Sequence, residues 1–444
     1  MMKGVFEMLH QENLNHLEIH YDWRTDKFIF YAARDWDPDT DFSQYNKLFT
    51  VFSLRPSSGK YFNSAETESL FAKHNLVSYI EKIKALMRKG RHIFLDCYYS
   101  EKLGIRFVNN IHSDKRGLNN LHSSLCMGGI RRHEPDEEEL DVFIDGMNLG
   151  RAMTFKNAAA DLPMGGCKVT VQMKPIDLDN LEQVGFLAYC NDRTRNIAGP
   201  DMRFPPDLAD VVKAHFSLHF TGGRKGPLGP TGTPTAHGVH IAVKQAARFL
   251  WGSESLEGKK IVVQGLGAVG FPLAEDYIHD GAKLVICDVD PAKIAELKEK
   301  YPKASIEVVE PSNVLKVEAD IFSPCAMGGV LNEDNIPGLK FKIVMGSANN
   351  ALKASSQEEE YTLADLLAKH GILYQVEWVH NIAGVMAGYE EYVYQEKASM
   401  AQLMEKAGKL CKEKTWENLN EAKREGITPT KRAYLVVERE IYGE

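Results

Sequence analysis

The sequence has no apolar run approaching the length of a membrane span, and its opening residues, MMKGVFEMLHQEN, carry no hydrophobic leader core. No membrane partner is therefore expected. Cysteine is sparse: the seven at positions 97, 126, 167, 190, 287, 325 and 411 are odd in number, scattered and without a CxxC pair. That excludes a disulfide framework and gives no zinc-ligand spacing, so reduced thiols in a cytoplasm and no metal site are expected. Basic residues are not in excess either, with 53 Lys and Arg against 61 Asp and Glu and a net charge of −8. A mildly acidic chain is poorly suited to a phosphate backbone, so no nucleic-acid partner is expected. Internal repeats and low-complexity tracts are lacking as well.

What is present exceeds one ordinary core: 444 residues, 44% of them hydrophobic, suggest two domains. The most informative stretch runs from Phe155 to Lys168, FKNAAADLPMGGCK. Its alanines predict the end of a helix at Met153 to Ala160. Pro163-Met164-Gly165-Gly166-Cys167 predicts a tight turn, and Val169 to Met173 a strand. This order would bring Lys156 and Lys168 into one cleft, where a buried lysine is a candidate general base. Asp201, in a turn between Pro200 and Met202, is a second proton-transfer candidate. Upstream, Gly128-Gly129 within LCMGGIRRH would let the backbone approach something small.

The first 34 residues predict a short helix and two strands, LEIHYDW and DKFIFYAA. Residues 47–115 predict a strand (LFTVFSL), an amphipathic helix from Glu66 to Arg88 and another strand, HIFLDCYY. No chemical motif falls there, so extra core or a subunit contact is the expected role. Four glycines and three prolines in residues 224–239 mark a domain boundary, followed by a helix from Thr235 to Leu250.

A buried strand, Lys260 to Gln264, then runs into Gly265-x-Gly267-x-x-Gly270, a helix, a second strand Lys283 to Cys287, and Asp288. This is the order of a dinucleotide-binding unit. Gly265 would make the turn, Gly267 would admit a pyrophosphate, and Gly270 would let helix and strand pack. Leu266, Ala268 and Val269 complete the loop, and the helix N-terminus would face the phosphate charge. Asp288 would accept from ribose hydroxyls and repel a 2′-phosphate, which favours NAD over NADP. Strands IEVVE, DIFSPCA, KIVMGSA and ILYQVEW alternate with helices, as in a doubly wound parallel sheet. Their C-terminal ends carry Cys325-Ala326, Ser347 to Asn350 and His380-Asn381, where such sheets bind ligand. A long helical run, Tyr389 to Arg424, and a helix from Thr428 close the chain.

The stretches MGGIR, MTFKNAAADLPMGGCK, GPD, PTAHGV, VQGLGAVG, DIFSPCAMGGVLN, GSANNAL and NIAGVMAG resemble the glutamate/leucine/phenylalanine/valine dehydrogenase superfamily, within it the leucine and phenylalanine branch. They spread over most of residues 120–440. The resemblance implies interconversion of an L-amino acid with its 2-oxo acid and ammonia, using a nicotinamide cofactor. It implies that Lys156 holds the substrate carboxylate, Lys168 is the general base and Asp201 shuttles protons. It also implies that Asn349 positions substrate and nicotinamide and Thr235 lies near the carboxamide; Cys325 and Ala326, at their strand end, are expected to line the cofactor. Met127 and Gly388 stand where glutamate-specific relatives carry a lysine and a serine. Met127, Gly199, Val385 and Gly388 would therefore line an apolar pocket, roomy enough for a large or aromatic side chain, and Gly128 is a further substrate-binding candidate. Cys167 replaces a family glycine.

The expected architecture is α/β. Residues 1–223 form a substrate and oligomerisation domain with extra segment within about 35–115, completed by a C-terminal helix at about 416–444. Residues 224–415 form a Rossmann NAD-binding domain. A homo-oligomeric, NAD-dependent amino-acid dehydrogenase acting on an apolar or aromatic substrate is the first reading. A regulator that keeps only the dinucleotide fold, and a biosynthetic enzyme that hands its oxo or imino acid to a partner, are the alternatives.

Overall fold

Alternation of apolar and polar residues builds the first sheet. In the strand His16–Asp22, Leu17, Ile19 and Tyr21 enter a core with Val5, Phe6, Leu70, Ile80 and Phe143, while His16 and Glu18 occupy the opposite face. The computed structural model describes residues 4–45, 56–113 and 125–443. These fall into two units: residues up to 230 with 388–398, and residues 231–387 with 399 onwards.

In the first unit nine strands among the described residues join one sheet. Its antiparallel part runs Lys60–Phe62, Lys27–Arg34, His16–Asp22, Phe94–Ser100, Ile105–Ser113, Gly165–Gln172. Past that point pairing turns parallel: Cys126–Met127 lies between Gly165–Gln172 and Asn196–Ile197, and Ile130–His133 also pairs with Gly165–Gln172. Ile130 lies opposite Val169 and bridges Pro200, so three separate stretches of chain converge there.

The early strands thus extend the same sheet. The expected strand within 48–54 lies outside the described residues. The helix expected from Glu66 to Arg88 is two, Ser64–Lys73 and Val77–Gly90, broken where Asn75 adopts φ +58°.

In the second unit the strands are all parallel. KIVVQ and KLVIC read as continuous apolar runs because both faces are covered. Ile261 and Val263 enter one core and Val262 the other. Numbered in chain order, the strands Lys260–Gln264, Lys283–Cys287, Ile306–Val308, Ile321–Pro324, Ile343–Val344 and Leu373–Tyr374 lie in the spatial order 3-2-1-4-5-6. The order reverses between Lys260–Gln264 and Ile321–Pro324, where open parallel sheets take their ligands.

The chain passes from the first unit to the second within the Gly/Pro run, just before the helix Gly232–Trp251. The helical run expected from Tyr389 to Arg424 is interrupted: Ala383–Tyr394 ends at Gln395, with φ +49°, and Met400–Glu425 follows. Met400–Glu425 packs along Gly232–Trp251, and Pro429–Tyr442 packs on Met400–Glu425. The C-terminal helices therefore belong to the second unit, whereas the expectation had 416–444 completing the first. The reason is the buried stripe Leu403, Ala407, Cys411 and Leu419, against which Gly238 leaves space for the Cys411 sulfur. Among the described residues no helix is long and apolar enough to cross a membrane.

Candidate active site

The helix Glu139–Ala159 carries Lys156 in its last turn, and the strand that follows begins at Gly165. The glycines expected to form a turn are thus already strand. Their smallness serves packing: a Cβ on Gly166 would come within 2.1 Å of the Thr154 backbone nitrogen. Asn157 ties helix and strands together, its Nδ2 donating to Gly165 O at 2.8 Å and Met127 O at 3.3 Å. Gly128 meets the strand equally closely, since a Cβ there would lie 1.7 Å from the Cys167 carbonyl oxygen. The small object that Gly128 and Gly129 admit is therefore the neighbouring strand with its lysine. A Cβ on Gly129 would lie 3.1 Å from Lys168 Nζ and 3.2 Å from Asp201 Cβ.

Lys168 is 5% exposed, and its Nζ donates to Asp201 Oδ2 at 2.5 Å. Arg131, on Ile130–His133, donates through Nε to the same oxygen at 3.1 Å. Burial by itself would raise the Asp201 carboxyl. The charges of Lys168 and Arg131 and the lysine hydrogen bond outweigh it and hold the group well below the usual carboxylate range. The result is an ionised carboxylate against a lysine, a pair able to exchange a proton with a third group placed beside it.

Met127, Gly199 and Gly388 also come together, around a residue that sequence reasoning passed over. A Cβ on Gly388 would lie 2.6 Å from Met127 Cε and 3.0 Å from Thr221 Oγ1. One on Gly199 would lie 3.4 Å from Thr221 O. The room left by Gly388 is thus shared with the Met127 methyl, which can swing away, and with the buried Thr221 hydroxyl. Val385, on the same helix as Gly388, falls in the second unit. Arg131 was visible within MGGIR without a role assigned to it. Thr221 belongs to no motif, so nothing in the sequence marked it.

In the second unit Gly265 adopts φ +91°, where a side chain would be strained. A Cβ on Gly270 would lie 1.9 Å from Gly265 O, whereas one on Gly267 would meet nothing within 4 Å. The loop is tight where it must turn and open where a pyrophosphate would approach. The helix Gly270–His279 has no side-chain cap on its N-terminus, which leaves its first amides for an anion. Asp288 accepts from Leu266 N at 2.5 Å and from Asp290 N at 2.7 Å, so it braces the loop as well as facing it. These residues fit a dinucleotide. Cys325 N donates to Gln264 O at 2.8 Å across the point where strand order reverses, and Ala326 packs against Gly265. Asn349 Oδ1 accepts from Asn381 Nδ2 at 3.0 Å. Thr235 Oγ1 donates to Thr231 O at 2.7 Å, beside Gly384.

A parallel sheet of this order with a glycine loop, together with a unit that sets a buried lysine on a half-buried aspartate, fits a dinucleotide-dependent oxidoreductase. The match to known families is specific. Residues 229–439 match the model described as Glutamate/Leucine/Phenylalanine/Valine dehydrogenase, and residues 104–208 match that of the Glu/Leu/Phe/Val dehydrogenase dimerisation domain. L-tryptophan dehydrogenase of Nostoc punctiforme is 36% identical over 279 residues, 62% of this chain and 76% of that one. Leucine dehydrogenase of Geobacillus stearothermophilus is 32% identical over 323 residues, 70% of this chain and 83% of that one. Phenylalanine dehydrogenase of Lysinibacillus sphaericus is 34% identical over 300 residues, 65% of this chain and 76% of that one. The crystal structure of the Nostoc punctiforme tryptophan enzyme superposes with a TM-score of 0.65 at 28% identity, covering 81% of this chain and 98% of that one. The chain belongs to the Glu/Leu/Phe/Val dehydrogenase family and is an NAD(P)-dependent amino-acid dehydrogenase.

Proposed function

We propose that this chain catalyses the reversible, NAD-dependent oxidative deamination of an apolar or aromatic L-amino acid to its 2-oxo acid and ammonia. The observation that carries the reading is the buried Lys168 paired with the half-buried Asp201 beside Gly129. In this reading Lys156 holds the substrate carboxylate. Asp201 exchanges a proton with the substrate nitrogen, and Lys168 serves as the base that activates water on the imino acid. Asn349, held by Asn381, and Thr235 position substrate and nicotinamide. The bound cofactor supplies the hydride acceptor. Assaying the common amino acids with NAD and following NADH tests the reading directly.

Asp288 supports NAD over NADP, because its carboxylate would meet a 2′-phosphate with like charge. Asp288→Ser should raise the efficiency with NADP relative to NAD. Equal wild-type kcat/KM for both cofactors would contradict this part of the proposal.

Met127 supports an apolar substrate, since a side-chain carboxylate buried against it would cost several kcal/mol. The named relatives act on tryptophan, leucine and phenylalanine, which agrees. Large substrates should be favoured over valine by about 10-fold in kcat/KM. They would fill the space that Met127 Cε can vacate, at about 0.8 kcal/mol per buried methylene. Gly388→Val presses on Met127 Cε and Thr221 Oγ1 and should move preference toward small branched acids. A kinetic series from alanine to tryptophan that ranks identically in wild type and variant would show that Gly388 does not set the pocket.

Assembly into a homo-oligomer is part of the same proposal. The match of residues 104–208 to a dimerisation domain supports it, as do Ile29 and Tyr61, each 60% exposed on neighbouring strands of the early sheet. Light scattering that finds a fully active monomer would overturn it.

A further inference from the structure

We propose that Arg131 is a positioning residue for the Lys168–Asp201 pair, holding the Asp201 carboxylate at the end of a chain of alternating charges. This rests on the reading of Lys168 and Asp201 as the proton-transfer groups. Arg131 Nε and Lys168 Nζ take the same oxygen, Asp201 Oδ2, at 3.1 and 2.5 Å. The other arm of the guanidinium, NH1, donates to Asp145 Oδ1 at 3.3 Å and Oδ2 at 3.1 Å. Asp145 stands on the helix Glu139–Ala159, and His133 Nε2 lies 3.2 Å from its Oδ2. His133 Nδ1 in turn lies 2.7 Å from Glu137 Oε2, and Arg203 NH1 donates to Glu137 Oε1 at 2.8 Å.

Charge sign therefore alternates from Lys168 through Asp201, Arg131 and Asp145 to His133. The chain then closes through Glu137 onto Arg203, two residues after Asp201. The turn that carries Asp201 is held on both sides. One ammonium on a flexible stem cannot fix the direction of a carboxylate, whereas a planar guanidinium anchored on a helix can. An ammonium at position 131 could reach one of the two carboxylates, not both with this geometry. A displacement of about 1 Å at a reacting group can cost on the order of 10²-fold.

Removing Arg131 should therefore lower kcat more than it changes KM for the amino acid. R131Q is expected to lose roughly 10- to 100-fold in kcat with NAD affinity and thermal midpoint near wild type. R131K should not restore the rate, while millimolar guanidinium should partly rescue R131A. D145N should show part of the loss, and the double variant R131Q/D145N should be little worse than R131Q, as for groups acting through one path. Crystal structures of wild type and R131Q read the carboxylate directly, with Asp201 expected to rotate away from its present contact.

Wild-type kcat in R131Q would overturn the proposal, as would an Asp201 carboxylate unmoved in that crystal. A loss matched by lower thermal stability and untouched by guanidinium would reduce Arg131 to a structural role, and so also overturns it. If instead the wild-type protein turns over no amino acid, the dehydrogenase reading fails, and the crystallographic comparison still decides whether Arg131 places Asp201.

Discussion

Replacing Lys168 with alanine should abolish oxidative deamination while leaving NAD binding intact. The lysine sits on the central strand Gly165–Gln172, almost wholly buried, with its ammonium on Asp201. The dinucleotide loop belongs to the second unit. Truncation removes the proposed base and leaves Asp201 with Arg131 as its remaining cationic partner in the pair. Loss of a positioned acid–base group costs on the order of 10²-fold or more in turnover. Titration calorimetry with NAD separates this from global damage, since dissociation constants should match wild type. A variant that turned over at near-normal rate would remove Lys168 from the mechanism.

The second large effect is expected far from that pair, in the early strands. His16 is fully buried, with Nδ1 2.7 Å from Asp35 Oδ2 and Nε2 2.8 Å from Asp96 Oδ1. Its ring stacks on Tyr98, and Arg193 NH1 lies 2.8 Å from the same Asp35 oxygen. Burial by itself lowers the pKa of His16, but the charges of Asp96 and Asp35 and their hydrogen bonds more than reverse this, raising it to about 9. Burial pushes the Asp96 carboxyl up on balance, although His16 pulls it down. Asp35, which His16 and Arg193 hold below its ordinary range in spite of its burial, keeps the proton on His16.

The folded pKa thus lies above the unfolded value of about 6.5. The stability it contributes is fully present below that value and is lost as pH rises through about 9. His16→Gln takes the cation from the buried Asp96 and leaves Asp35 with Arg193 alone, and breaking a buried pair in this way costs about 3–5 kcal/mol. Urea unfolding across pH should show the wild-type midpoint falling through this window and a flatter profile for the variant. Parallel profiles for the two proteins would show that His16 is not the group responsible.

Legibility of the fold followed sequence distance. The dinucleotide loop could be read because its strand, glycines, helix and acidic residue are contiguous, and each glycine answers a local demand such as φ +91° at Gly265 or the contact of Gly270 with Gly265 O. The parallel sheet was legible for the same reason, since strands covered on both faces are apolar throughout. Lys168 and Asp201 were named from motifs, but their hydrogen bond joins residues 33 apart through the register of Ile130 with Val169 and Pro200.

The sequence by itself determined the class of fold, the dinucleotide loop and the residue types available for proton transfer, because these depend on neighbours along the chain. Only the tertiary structure decided what long-range packing controls. Gly166 and Gly128 are small so that helix and strands can touch, not to make a turn. The apolar stripe of Met400–Glu425 could have covered either core, and its fit to Gly232–Trp251 chose the second. Arg131 and Asp145 alternate with apolar neighbours on a strand and a helix, where periodicity reports that a side chain points away from the core but not which charge it meets. Their encounter at 3.1 Å is a fact of the folded molecule alone.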